Sequence, residues 1–183
     1  MSDAPAEEPG KTRQALVVVN TGDGKGKTTA ALGVLLRAWG RGYSVCMLQF
    51  IKSTTSNYGE NRAAKKIGLE IVALGGGFTW LSKDIEKDKA LARDLWEQCK
   101  AKIASGEYDI VALDEFTYPL AYGWLPVDDV IAFLKERPAR THVIITGRDA
   151  PQELIDYADL VTEMREVKHP FQHGLKAQPG IEF

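Results

Sequence analysis

Cysteine is scarce in this chain, and long apolar stretches are missing altogether. Only Cys46 and Cys99 occur among 183 residues, each inside a periodic apolar segment. With no export signal ahead of them, they read as reduced core residues rather than a disulfide. No apolar run approaches the roughly 18–20 residues that cross a bilayer. The polar start, MSDAPAEEPGKTRQ, lacks the hydrophobic core of a signal peptide. These lacks argue against a stapled secreted scaffold and against a membrane partner, and the expected location is cytoplasmic. Charge of one sign is lacking too: 23 Lys and Arg stand against 25 Asp and Glu, a formal −2. Nucleic acid is therefore not an expected partner, although a local basic site is compatible with that balance. There is no internal repeat and no low-complexity tract.

What is present suffices for a core. Hydrophobic residues make up 44% of the chain, and a domain of this length buries about 70% of its extended-chain surface. Residues 1–14 hold Pro5, Pro9 and three acids without an apolar periodicity, and read as a flexible N-terminal arm. Residues 15–183 read as a single domain. Short apolar or β-branched runs lie at Ala15–Asn20, Ser44–Phe50, Leu69–Leu74, Asp109–Leu113, Thr141–Thr146 and Leu160–Val167. Several are nearly continuous in apolar residues, as expected of parallel strands covered on both faces. Helical patterns alternate with them at Thr28–Trp39, Lys83–Ser105, Pro126–Arg137 and Pro151–Tyr157. The predicted fold is α/β, three layers about a mostly parallel central sheet of about six strands, with helices on both faces.

The strongest local signal is the strand ALVVVN followed by TGDGKGKTTAALG. Gly22, Gly24 and Gly26 permit close backbone approach, and the successive amides with the following helix N-terminus form an anion cradle. Lys25 and Lys27 bring charge, and Thr28 and Thr29 follow in register. Lys27 would reach phosphate oxygens and the Thr28 hydroxyl a Mg²⁺ ion. The usual pattern G-x-x-x-x-G-K-[ST] has Gly where this chain has Thr21. A metal-holding acid is expected at a strand end, and IVALDE supplies Asp114 and Glu115 there. Spacing does not choose between the two.

Arg148, in ITGRD, could clamp phosphate oxygens or form a surface pair with Asp149. Arg37 and His169 stand open in the same way. GGGFTW (Gly75–Trp80) puts two large aromatics after a triple glycine, readable as core packing or as a mobile lid over a flat apolar ligand.

Together these blocks resemble the P-loop ATP:cob(I)alamin (corrinoid) adenosyltransferases. The resemblance runs from about Ala15 to Phe183 and rests on TGDGKGKTTAALG, QFIK (Gln49–Lys52), GFTW (Gly77–Trp80), LDE with Thr117–Tyr118, Leu125–Pro126, VIITGR, VKH (Val167–His169) and the ending KAQ-GIEF. It implies a RecA-like P-loop NTPase fold, a homodimer, and ATP and cob(I)alamin as substrates. Cobinamide or a related precursor corrinoid could replace cobalamin, and a reduced flavin or flavoprotein would donate electrons. Cobalt(I) would attack the 5′ carbon of ATP and expel triphosphate, so no protein nucleophile is expected. The resemblance implies nucleotide contacts from Thr21 to Thr29, with Asp23 included, and from Arg37, Arg148 and His169. Lys27 and Arg148 would neutralise the leaving group. Thr28 and Glu115 would hold Mg²⁺ (or Mn²⁺), with Asp114 behind them, and Phe78 and Trp80 would close on the lower face of the corrin. The alternatives are a small P-loop ATPase or kinase, and a corrinoid carrier protein.

Overall fold

The computed structural model describes residues 14–53, 58–75 and 85–182. Six strands form one sheet: β1 (Val17–Thr21), β2 (Val45–Ser53), β3 (Glu70–Gly75), β4 (Ile110–Asp114), β5 (His142–Thr146) and β6 (Leu160–Glu163). Their spatial order is β3-β2-β4-β5-β1-β6, and each pairing is parallel. Helices α1 (Lys27–Trp39), α2 (Gly59–Ile67), α3 (Ile85–Ala104), α4 (Thr117–Ala121), α5 (Val127–Lys135) and α6 (Gln152–Tyr157) connect them, and a 3₁₀ turn follows at Pro170–His173.

Alternation along the strands sends successive side chains to opposite faces. Val18, Met47, Ala112 and Ile144 pack under α1 and α2 with Ala31, Leu35 and Ala64. Val17, Leu48, Val111 and Ile145 pack on the other face with Trp96, Cys99 and Ile103 of α3, Leu134 of α5 and Leu154 of α6. The expected three layers are thus present. Burial pushes the Cys46 thiol up to about 12, and burial followed by the neighbouring Cys46 raises Cys99 well above the usual thiol range. Both cysteines are free. At the sheet edge, Lys102 on α3 donates to Glu70 Oε1 (2.8 Å) and to the Tyr108 hydroxyl (2.8 Å), which itself donates to Glu70 Oε2 (2.6 Å). Burial alone would raise Glu70, but these hydrogen bonds outweigh it and hold the carboxyl below its ordinary value.

Several boundaries differ from the sequence reading. The last strand stops at Glu163 rather than Val167, because the chain then leaves the sheet to pack against the β1–α1 loop: Met164 O accepts the Gly24 N–H at 2.6 Å. The second strand runs on to Ser53 through a register shift after Gln49. Helix α5 ends at Lys135, and Arg137 lies in the following turn, donating to Leu134 O, Thr141 O and Ala15 O. No helix among the described residues is long and apolar enough to cross a membrane.

Candidate functional site

All six strands point the same way, so their C-terminal ends share one edge of the sheet, where ligands bind in open α/β folds. A cavity of about 990 Å³ opens there over the β1–α1 loop, lined also by Lys52, Glu115, Tyr118 and Arg148 and by parts of segments 165–170 and 180–182.

The loop is held from below by backbone. At Gly24 a Cβ would meet the Arg165 carbonyl carbon at 2.7 Å, and at Gly22, with φ +91°, it would meet Met164 O at 2.6 Å. Only glycine fits either place. Thr21 explains the departure from the usual loop pattern: its buried hydroxyl accepts the Ala150 N–H (3.2 Å) and ties the loop to the segment after β5. Helix α1 then starts from Gly26 with neither a side-chain cap nor an acid in its first turn. Its first intrahelical bond is Ala30 N to Gly26 O, leaving the amides of Lys27, Thr28 and Thr29 without helical acceptors. Such an end attracts anions. Lys27 folds back to donate to Gly22 O (2.6 Å) and Gly24 O (2.8 Å). Burial pulls its ammonium below the ordinary value against the attraction of Glu115, and Arg148 adds to the lowering.

Beneath the loop lies a buried polar floor. Asp114 is fully buried; its Oδ1 accepts from the hydroxyls of Thr28 (2.7 Å) and Thr146 (2.8 Å), and its Oδ2 from Gln49 Nε2 (3.2 Å). Lys52 Nζ stands 3.9 Å from Oδ2, bridges to Glu60 and lies 4.7 Å over the Tyr58 ring. Glu115 follows with φ 60°, a backbone state that costs on the order of 1–3 kcal/mol in a non-glycine residue. Its N–H donates to Thr146 Oγ1 (3.0 Å), while its Oε2 is buried with no hydrogen-bond partner among the described residues. Burial raises the Glu115 carboxyl, with the Asp114 charge adding to the effect. The next residue, Phe116, is fully buried between Phe50 (4.9 Å) and Trp96 (5.0 Å) and anchors the strained turn.

The rim is more exposed. Arg148 Nη1 lies 3.7 Å from Asp23 Oδ1, and its carbonyl accepts the Thr117 hydroxyl at 2.5 Å. Lys25 Nζ pairs with Glu182 Oε2 at 2.5 Å.

This geometry sits on a sequence that matches, over residues 13–183, the family model described as ATP:corrinoid adenosyltransferase BtuR/CobO/CobP. The chain belongs to that family. Its activity is therefore that of an ATP:corrinoid adenosyltransferase. The corrinoid adenosyltransferase of Escherichia coli K12 is 44% identical over 170 residues, spanning 93% of this chain and 86% of its own. Corrinoid adenosyltransferase CobA of Salmonella typhimurium is also 44% identical with the same coverage. The Pseudomonas aeruginosa relative is 39% identical over 175 residues, 94% of this chain and 86% of its own. Flagellar accessory protein FlaH from Methanocaldococcus jannaschii superposes with a TM-score of 0.57 at 16% identity, covering 81% of this chain and 70% of that chain. At that identity the fold alone is shared.

Within this adenosyltransferase, Asp23 to Thr29, Glu115, Arg148 and His169 all border the one cavity, and Asp114 lies just beneath it. The His169 ring also accepts the Phe171 N–H through Nδ1 (3.1 Å). Thr21 and Gly22 support the loop from outside the cavity wall. Arg37 is exposed in the last turn of α1 and does not line the cavity. Phe78 and Trp80 lie outside the described residues. Residue chemistry assigned no role to Gln49, Lys52, Thr146 or Glu182; apart from Glu60 and Tyr58 beside Lys52, their side-chain partners are remote in the chain. The signal for the first two was their place in QFIK, at a strand's C-terminal end.

Proposed function

We propose that the cavity holds ATP with its triphosphate over residues 22–28, and that a corrinoid's cobalt(I) attacks the nucleotide's 5′ carbon. The cobalt supplies the electron pair for the new cobalt–carbon bond. The bond from that carbon to oxygen breaks, and triphosphate leaves with its electrons. No proton need move to or from a side chain, which suits a site whose described groups offer cations and amides rather than a nucleophile and base. Charge grows on the triphosphate as the bond breaks. Donors set in advance around it stabilise the transition state more than the ground state. Lys27, the amides of α1's first turn and Arg148 are those donors.

Among the described residues no three His, Cys, Asp or Glu converge as a cage, so a divalent ion would be shared with the triphosphate. The donors suit hard Mg²⁺ or Mn²⁺: the Thr28 hydroxyl, whose proton is already given to Asp114, and the unpartnered Glu115 Oε2. When bound, the ion would draw charge from the triphosphate. Asp114 would orient Thr28 rather than bind the ion.

The corrinoid substrate is cobalamin, cobinamide or a related precursor, reduced by a flavin or flavoprotein, and the working unit is a homodimer in the cytoplasm. Phe78 and Trp80 would close on the corrin, and His169 would complete the nucleotide contacts from the cavity wall, which Arg37 does not reach. The observation that carries the nucleotide half is the uncapped α1 N-terminus beside a buried lysine and an orphaned carboxylate oxygen. The test is anaerobic: protein, Mg²⁺, ATP and chemically reduced cob(I)alamin, followed by visible absorbance and phosphate products. Light-sensitive adenosylcobalamin with stoichiometric triphosphate is expected. Corrinoid-independent ADP and phosphate would instead mark an ATPase. For the aromatics, Phe78→Ala and Trp80→Ala should keep ATP binding but lose turnover from cobalt(II); survival of that turnover in both would sink the lid.

A further inference from the structure

The segment after β6 leaves the sheet, passes under the loop and returns to it. At the near end Met164 O accepts the Gly24 N–H. At the far end Gln178 O accepts the N–H groups of Ile181 (3.2 Å) and Glu182 (3.0 Å), closing a turn through Gly180 at φ +81°. That turn aims Glu182 at the loop, where its Oε2 meets Lys25 Nζ at 2.5 Å. The two partners differ: the Glu182 side chain is 17% exposed and that of Lys25 56%. The acid is seated, and the lysine is the end more open to solvent.

We infer that Glu182 is an intramolecular competitor for the triphosphate, a residue that tunes nucleotide affinity and product release by holding Lys25 between turnovers. This rests on the reading that the triphosphate lies over residues 22–28. Lys25 sits between Gly24 and Gly26, so a polyanion in the cradle reaches the same ammonium that Glu182 holds. A loop that stabilises a leaving triphosphate also retains it as product, since both carry the same charge. A tethered carboxylate acts at an effective concentration of about millimolar or above. It therefore reoccupies Lys25 as soon as the product lets go, and it lowers net affinity for any polyanion. With the lysine end in water, the effect is a small multiple rather than orders of magnitude.

The test is calorimetric titration of tripolyphosphate and of MgATP into the wild type, Glu182→Gln, Lys25→Ala, the double variant and Lys27→Ala. Glu182→Gln should bind tripolyphosphate about threefold tighter than wild type. In turnover, its KM for ATP and the inhibition constant for tripolyphosphate should fall together. The gain should vanish in the Lys25→Ala background, where Glu182 has nothing to hold; a merely structural role would persist there. Unchanged or weaker binding by Glu182→Gln overturns the inference, as does a gain that survives without Lys25. If Lys27→Ala binds tripolyphosphate as well as wild type does, the phosphate site lies elsewhere. The placement of the triphosphate then falls first and takes this inference with it.

Discussion

At the floor of the cavity one carboxylate, Asp114, accepts from side chains on α1, β2 and β5, whereas at the rim Lys25 and Arg148 each face a single acidic side chain. The floor is out of water, where an unmet donor is costly and a satisfied network holds its geometry. The rim is wet, where an ion pair contributes little and is readily exchanged. The site thus fixes its floor before any ligand arrives and leaves the charges of its rim exchangeable. The unequal depth of Asp114 and Glu115, neighbours in the chain, carries the same lesson. The first is saturated with donors; the second has an open oxygen.

The largest effect is expected at Lys27, which belongs to neither layer. Lys27→Ala should lower kcat by about 10²–10³-fold, read as adenosylcobalamin formed from reduced corrinoid. Its melting temperature should fall modestly, because Gly22 O and Gly24 O lose their donor. Glu115→Gln comes next, with activity down by about 100-fold yet stability at neutral pH raised. Its carboxyl is raised by burial, so the folded protein binds that proton more firmly than the unfolded chain does. The Glu115 contribution to stability therefore falls as pH rises from the ordinary carboxyl value through the raised one, and the variant abolishes that fall. Activity needs the carboxylate, so the acid limb of kcat/KM should lie above the ordinary glutamate range. A variant that melts lower at neutral pH, or an unshifted acid limb, would count against this assignment.

Asp114→Asn sharpens the floor. Replacing an all-acceptor group by an amide sets a donor against Gln49 or the threonines, costing about 1–3 kcal/mol in denaturant unfolding and about tenfold in activity. The smallest effect belongs to the rim. Asp23→Asn should change KM for ATP by less than about threefold and leave the melting curve unchanged. A large loss of stability there would make the rim structural and erase the distinction.

The sheet and the loop were legible because their signals are local. The IVALD run of β4 is buried at each position, and an unbroken apolar run predicts that. What escaped reading lacks a local signal. Helix α2 buries only Ala64, so no apolar stripe marks it, and α4 is five residues long with a proline inside. Asp114 and Glu115 could be found together but not separated, because what divides them is Thr146, Gln49 and a backbone turned to positive φ. Glu182 meets Lys25 across 157 residues of chain, a pairing that only the fold creates. Thr21 departs from the usual motif, and its hydroxyl tethers the loop to the segment after β5. Phe78 and Trp80 rest on resemblance, since residue chemistry alone balanced lid against core.

The two buried thiols give the molecule a clock. Cys46 on β2 and Cys99 on α3 lie in one apolar layer with Trp96, and burial keeps both protonated at neutral pH. A thiol reagent in solution cannot find a thiolate until α3 lifts from the sheet. The rate of labelling then counts those openings rather than the chemistry of sulfur. A reaction that depends on a strongly reducing metal is housed in a protein whose two thiols are out of reach for as long as that layer stays shut.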